Sequence, residues 1–195
     1  MVNVIVLHGK NDQWENYDPS FPLISESDWY SWLTKQLLMK DVEVHKPSVY
    51  RAFEATYEDW RTEVERYPIN EETICVGHSC GGGFWLRWLS ENKDRKLKKL
   101  VLVAPWFDPL KFMPENFGFD LFEFERDPDL LSRVQDCVVF NSDDDQESVQ
   151  LTIEEIREVW PAMEIREFHN YGHFCERHLG SKEFPELLNE VLKSV

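Results

Sequence analysis

Gly77-His78-Ser79-Cys80-Gly81 stands between a short apolar run, Thr73-Ile74-Cys75-Val76, and a segment from Phe84 to Leu89 whose apolar residues recur at helical spacing. Strand, Gly-x-Ser-x-Gly, helix constrains the fold more than any other stretch, because it requires a strand to turn sharply into a helix at the end of a sheet. The serine of such a turn has a strained backbone, and glycines leave room for it because they lack a Cβ. Its hydroxyl is presented at the sheet's end, with the N-terminus of the next helix aimed at developing negative charge. The pentad alone arises by chance in unrelated chains; this context marks Ser79 as a candidate nucleophile.

A serine hydroxyl is a poor nucleophile without a base, so a histidine and a carboxylate are required downstream. In this architecture the expected chain order is Ser, then Asp or Glu, then His. Cys137-Val138-Val139-Phe140 reads as a strand that empties into Asn141-Ser142-Asp143-Asp144-Asp145. Residues 163–168 read as a short strand followed by His169-Asn170-Tyr171-Gly172-His173-Phe174. A carboxylate on the first loop can hold an imidazole on the second in the tautomer that takes the serine proton.

With these motifs the chain resembles the small α/β-hydrolases related to retinoblastoma-binding protein 9. The resemblance runs over nearly the whole length: Val4-Ile5-Val6-Leu7-His8-Gly9, Trp29-Tyr30-x-Trp32-Leu33, Ile74 to Ser79, Leu100 to Ala104, Phe140 to Asp145 and Gly172-His173-Phe174. It implies His173 as the base and Asp145 as the triad acid, with Asp144 the alternative in a run of three aspartates. It also implies an oxyanion hole of two backbone N–H groups. One belongs to Cys80, the residue after the nucleophile. The other comes from the His8-Gly9 turn, at Lys10 or, second, Asn11. The chain departs from the family at Asp145-Gln146, where Asp-Pro is usual. No Leu-x-Cys-x-Glu occurs, so the pocket-protein interaction behind the family's name is not carried over.

The remaining pattern predicts one α/β domain over 1–195, a mostly parallel sheet of about six strands with helices on both faces and no large cap domain. Strands over 2–7, 73–76, 100–104 and 137–140 are almost continuously apolar, as strands buried on both sides should be. Weaker runs at 42–45 and 164–168 suit the edges. Helices are expected over 28–39, 50–66, 82–91, 152–160 and 182–192, the last with Ser181 as N-cap. The chain begins in a strand rather than a signal sequence, and no apolar run approaches the roughly 20 residues that span a bilayer. Cys75, Cys80, Cys137 and Cys175 show no metal spacing and fit reduced thiols in a cytoplasm. With 21 basic against 37 acidic residues the net charge is −16, which disfavours nucleic acid and anionic membranes as partners.

Two irregular segments follow strands on the expected ligand side. Residues 10–27 carry Trp14, Tyr17 and Phe21; residues 105–129 carry Trp106, Phe107, Phe112, Met113, Phe117, Phe119, Phe122 and Phe124. Long loops this rich in aromatics read either as the wall of an apolar acyl pocket, with Trp14, Trp106 and Phe107 in front, or as cover for the sheet's ends. His169 and His173 lack the His-Glu-x-x-His setting of a zinc site, and Asp143 to Asp145 lack the alternating ligands of a calcium loop. His78 reads as a packing or supporting residue. The chemistry expected is cofactor-free and metal-free hydrolysis of a small acyl substrate, an ester before an amide or thioester. The competing expectation is a catalytically silent interaction module that kept the fold.

Overall fold

The computed structural model describes residues 2–107 and 120–195. Apolar runs build one six-stranded sheet: β1 (Asn3–Leu7), β2 (Glu43–His45), β3 (Thr73–His78), β4 (Leu97–Val103), β5 (Val134–Ser142) and β6 (Glu164–Phe168). The order is β2-β1-β3-β4-β5-β6, and every neighbouring pair is parallel. β1 and β3 are buried along their whole length, whereas the edge strands β2 and β6 are half-exposed. That contrast is why the inner strands read as unbroken apolar runs and the edges do not.

The α-helices of the described residues are α1 (Gln13–Tyr17), α2 (Tyr30–Leu38), α3 (Tyr57–Val64), α4 (Cys80–Glu91), α5 (Glu147–Val159), α6 (Glu176–Leu179) and α7 (Pro185–Leu192). None is long and apolar enough to cross a membrane. Parallel crossovers are right-handed in nearly all proteins. α2 leads outward from β1 to β2, and α3 leads back past β1 to β3, so the two cover opposite faces. α2 meets α7 on one face, and α3 meets α4 on the other. The direction of winding therefore reverses between β1 and β3, where parallel sheets open a crevice beyond their strand ends. Leu7 pairs with Gly77, so the turn after β1 and Ser79 leave the sheet side by side.

Several boundaries differ from the sequence reading. The helix expected over 50–66 starts only at Tyr57, where the Thr56 side chain accepts from the Asp59 N–H and Asp59 reaches back to Thr56. That capping box is a stronger start signal than the apolar spacing before it. Ser181 does not cap the last helix; its Oγ accepts from the Glu183 N–H, and α7 begins at Pro185, behind Phe184. β4 begins at Leu97 and takes in Lys99, which is fully buried between Asp136 at 2.6 Å and Glu190 of α7 at 2.5 Å. α5 begins at Glu147, five residues earlier than expected.

Candidate functional site

Ser79 joins β3 to α4 with φ 52° and ψ −119°, a strained conformation for a residue with a side chain. Neighbouring backbone enforces it. The Ser79 N–H donates to the Val103 carbonyl at 2.9 Å, and the Ser79 carbonyl accepts from the N–H groups of Gly82 and Trp106 at 2.9 and 3.1 Å. The motif glycines answer to close contact. A Cβ on Gly77 would lie 2.6 Å from the Gly81 carbonyl oxygen, and one on Gly81 would lie 2.4 Å from that of His8. α4 thus abuts the end of β1 directly. Cys80, buried, heads that helix, where the first amides point out along the axis.

His173 lies on the loop after β6 and Asp145 on the loop after β5. The His173 Nδ1 and Asp145 Oδ2 are 2.8 Å apart, with side chains 13% and 1% exposed. The other carboxylate oxygen, Oδ1, accepts from the Gln146 N–H at 2.7 Å. This assigns the proton to Nδ1 and leaves Nε2 as the basic nitrogen. The adjacent aspartates take different partners on the same loop. Asp144 Oδ1 accepts from the Ser142 hydroxyl at 2.6 Å and the Gly172 N–H at 2.9 Å, which hold its carboxyl below the usual range. Asp143 meets the exposed His169 ring at 2.6 Å, raising that imidazole's pKa. His169 and His173 therefore serve separate carboxylates.

A cavity of about 920 Å³ opens at Ser79, walled by Gly9, Lys10, Trp106 and His173 among others. A Cβ on Gly9 would stand 3.0 Å from the Ser79 Cβ, so the turn after β1 closes on the serine. The His8 ring fixes that turn: its Nδ1–H donates to the Gly9 carbonyl at 2.5 Å, and its Nε2 accepts from the Val49 N–H at 3.0 Å. Burial pushes His8 down to about 4, so it stays neutral. Because a trans peptide sets its C=O and N–H opposite one another, pinning the Gly9 carbonyl also fixes the direction of the Lys10 N–H.

The proposed pocket residues separate. Trp106 lines the cavity, its ring edge-on to Phe122 at 5.5 Å. Phe107 is not part of the wall: it packs on Phe122 and Phe124, and its N–H donates to Thr152 at 3.2 Å. Trp14 is 57% exposed and sits behind Phe21, which does reach the cavity. Phe112, Met113, Phe117 and Phe119 lie outside the described residues. The wall is also more polar than the aromatic count suggested, with Glu15, Asp28 and Arg177 contributing. Asp28 accepts from the Glu176 N–H at 2.8 Å, and burial raises its pKa.

Three side chains support the histidine, and of these the sequence reading gave a packing or supporting role, without a partner, to His78 alone. The His173 N–H donates to His178 Nδ1 at 2.9 Å, and the His173 carbonyl accepts from His78 Nε2 at 2.8 Å. His78 Nδ1 in turn faces the Tyr30 hydroxyl at 2.5 Å. Tyr30 and His78 are 48 residues apart and His78 and His173 are 95 apart, so no local pattern announces those pairings, and only the Trp29-Tyr30 pair stood out; His178 is five residues from His173, in a stretch with no distinguishing pattern.

A family model described as "Serine hydrolase" matches residues 19–193. A search of curated protein sequences finds no significant match. Among solved structures, the ydeN gene product from B. subtilis is 20% identical with a TM-score of 0.78, the match covering 100% of this chain and 98% of that one. Est1E from Butyrivibrio proteoclasticus is 14% identical with a TM-score of 0.67, over 99% of this chain and 88% of that one. The methylesterase protein MES16 from Arabidopsis is 13% identical with a TM-score of 0.63, over 100% and 98%. At these identities the likeness establishes a shared fold.

Proposed function

The chain belongs to the serine hydrolase family, and from that premise we propose that it cleaves a carboxylic ester through Ser79, His173 and Asp145. The observation that carries the reading is the 2.8 Å pair of His173 Nδ1 and Asp145 Oδ2, with His173 and Ser79 on one cavity. His173 Nε2 takes the proton as the Ser79 hydroxyl attacks the carbonyl, and Asp145 stabilises the imidazolium that forms. The backbone N–H groups of Cys80 and Lys10 receive the oxyanion. The alcohol leaves with the proton from His173, and water then attacks the acyl-enzyme with His173 again as base.

The acyl group lies against Trp106 and Phe21. An ester is put before an amide because an alcohol is expelled from the tetrahedral intermediate more easily than an amine; a thioester would pass through the same steps. Two structures of the same fold carry the names Est1E and methylesterase, and Est1E has been seen with ferulic acid bound. Within the family we place the chain with the hydrolases related to retinoblastoma-binding protein 9, on the motifs around Ser79, Asp145 and His173. The reading needs no cofactor, takes a small acyl substrate and no nucleic acid, and assigns the cytoplasm, where four cysteines stay reduced rather than paired in disulfides. The test is hydrolysis of p-nitrophenyl butyrate by the unmodified chain and by Ser79→Ala. Turnover that disappears with the hydroxyl supports the reading; turnover unchanged in Ser79→Ala, or absent from the unmodified chain, refutes it in favour of a non-catalytic module.

A further inference from the structure

His78 precedes the nucleophile, and its ring is buried at 3% exposure beside the His173 ring. Its two nitrogens have different obligations. Nε2 lies 2.8 Å from the His173 carbonyl oxygen, which can only accept, so Nε2 carries the proton. Nδ1 is then an acceptor, and the Tyr30 hydroxyl at 2.5 Å must donate to it. With its proton so directed, the Tyr30 oxygen accepts from the Gly9 N–H at 3.4 Å. The direction of every bond is forced: Gly9 N–H to Tyr30, Tyr30 O–H to His78, His78 N–H to the His173 carbonyl.

This chain joins two parts of the site that arrive on separate loops. One end is the turn after β1, whose next amide, Lys10, is assigned to the oxyanion. The other is the backbone of the base. Trp29 and Tyr30 pack on the His78 ring at centroid distances of 5.6 and 5.9 Å, and the His173 ring packs on it at 4.9 Å. Buried hydrogen bonds of this kind polarise one another and hold one arrangement. We infer that Tyr30 and His78 are positioning residues for the reaction, a neutral relay that sets the oxyanion turn and the His173 base at a fixed spacing across Ser79. The inference rests on the ester-hydrolase reading. It adds that the spacing is maintained by this relay, beyond the Asp145 contact. Burial, with His173 nearby, pushes His78 down to about 3, so the relay keeps its tautomer at neutral pH.

The variants are Tyr30→Phe, which keeps the ring and removes the hydroxyl, His78→Asn, which keeps an acceptor toward Tyr30 but is too short to reach the His173 carbonyl, and their double. Misplacement of catalytic groups by a fraction of an ångström lowers the chemical step rather than substrate binding, so each single variant should lose roughly tenfold or more in kcat with KM unchanged. The double variant should lose little beyond the worse single, because either change breaks the same unit. Wild-type kcat in both singles overturns the inference, as do additive losses or a loss confined to KM. Imidazole nitrogen chemical shifts of the unmodified chain give an answer independent of variant folding: protonation of His78 at Nε2 is expected, and protonation at Nδ1 overturns the relay. An unmodified chain that neither hydrolyses p-nitrophenyl butyrate nor reacts with a fluorophosphonate removes the parent reading, and this inference with it. Normal turnover with unaffected variants removes the inference alone.

Discussion

Lowering the pH from 7 to 5 should destabilise the protein through two histidines buried without charge. His8 and His78 lie at about 4 and about 3, against 6.5 for a solvated imidazole, because burial disfavours the imidazolium. Their folded pKa values are depressed, so the unfolded chain binds protons first and stability falls as the pH drops below 6.5, levelling off only near 3 to 4. At pH 5 each unfolded imidazole gains about 2 kcal/mol from protonation, against almost nothing at pH 7 or in the folded chain. Each histidine therefore removes ~2 kcal/mol, and the pair removes ~4 kcal/mol, from a domain whose whole stability is of order 5–15 kcal/mol. His178, also depressed, acts in the same direction; His169 and Asp28, whose pKa values are raised, offset part of the loss. Urea unfolding at pH 7, 6 and 5 measures the effect, and His78→Asn should show about half the pH-dependent loss of the unmodified chain. A change under ~1 kcal/mol between pH 7 and 5, or the same loss in His78→Asn, would refute the assignment of both rings as buried and neutral.

Asp145→Asn should lower kcat by ~10³-fold or more, since it disturbs the tautomer and the imidazolium of His173. Asp144→Asn should instead lower stability in urea unfolding while leaving kcat nearly unchanged, by loosening the bonds from Ser142 and Gly172; reversed effects would exchange the two roles. Glu190→Ala strands Lys99 in the sheet with only Asp136, and a stability loss of ~3–5 kcal/mol is expected; a loss under ~1 kcal/mol would show that the lysine finds water. Trp106→Ala should flatten the dependence of kcat/KM on acyl chain length, whereas Phe107→Ala should lower Tm and leave that profile intact. A flat profile in the unmodified chain would remove Trp106 from the acyl site.

The nucleophile turn was legible because its demands are local. Gly77 faces the Gly81 carbonyl, so its identity follows from the turn itself, whereas Gly81 answers to the end of β1 and was legible only as part of the motif. The inner strands were legible for the same kind of reason, since burial on both faces leaves an unbroken apolar run. The start of β4 was not. Lys98 and Lys99 read as the end of an apolar strand, and only the fold brings Asp136 and Glu190 to Lys99. Three consecutive aspartates carried no register of their own, and the family resemblance was needed to single one out. Each meets a different group on the histidine loop, and those pairings span 26 to 28 residues. Tyr30 and His78 were less legible still. Both lie in motifs the sequence shows, but their partnership arises only where α2, β3 and the histidine loop converge.

The central claim is that Ser79 is the nucleophile, and covalent capture tests it most directly. The chain is incubated with a fluorophosphonate, digested, and the modified peptide located by mass spectrometry. The account predicts a single phosphonyl adduct on Ser79, absent from Ser79→Ala and much slower to form in a variant lacking the His173 imidazole. An adduct on another residue, or none on a folded chain, would contradict it.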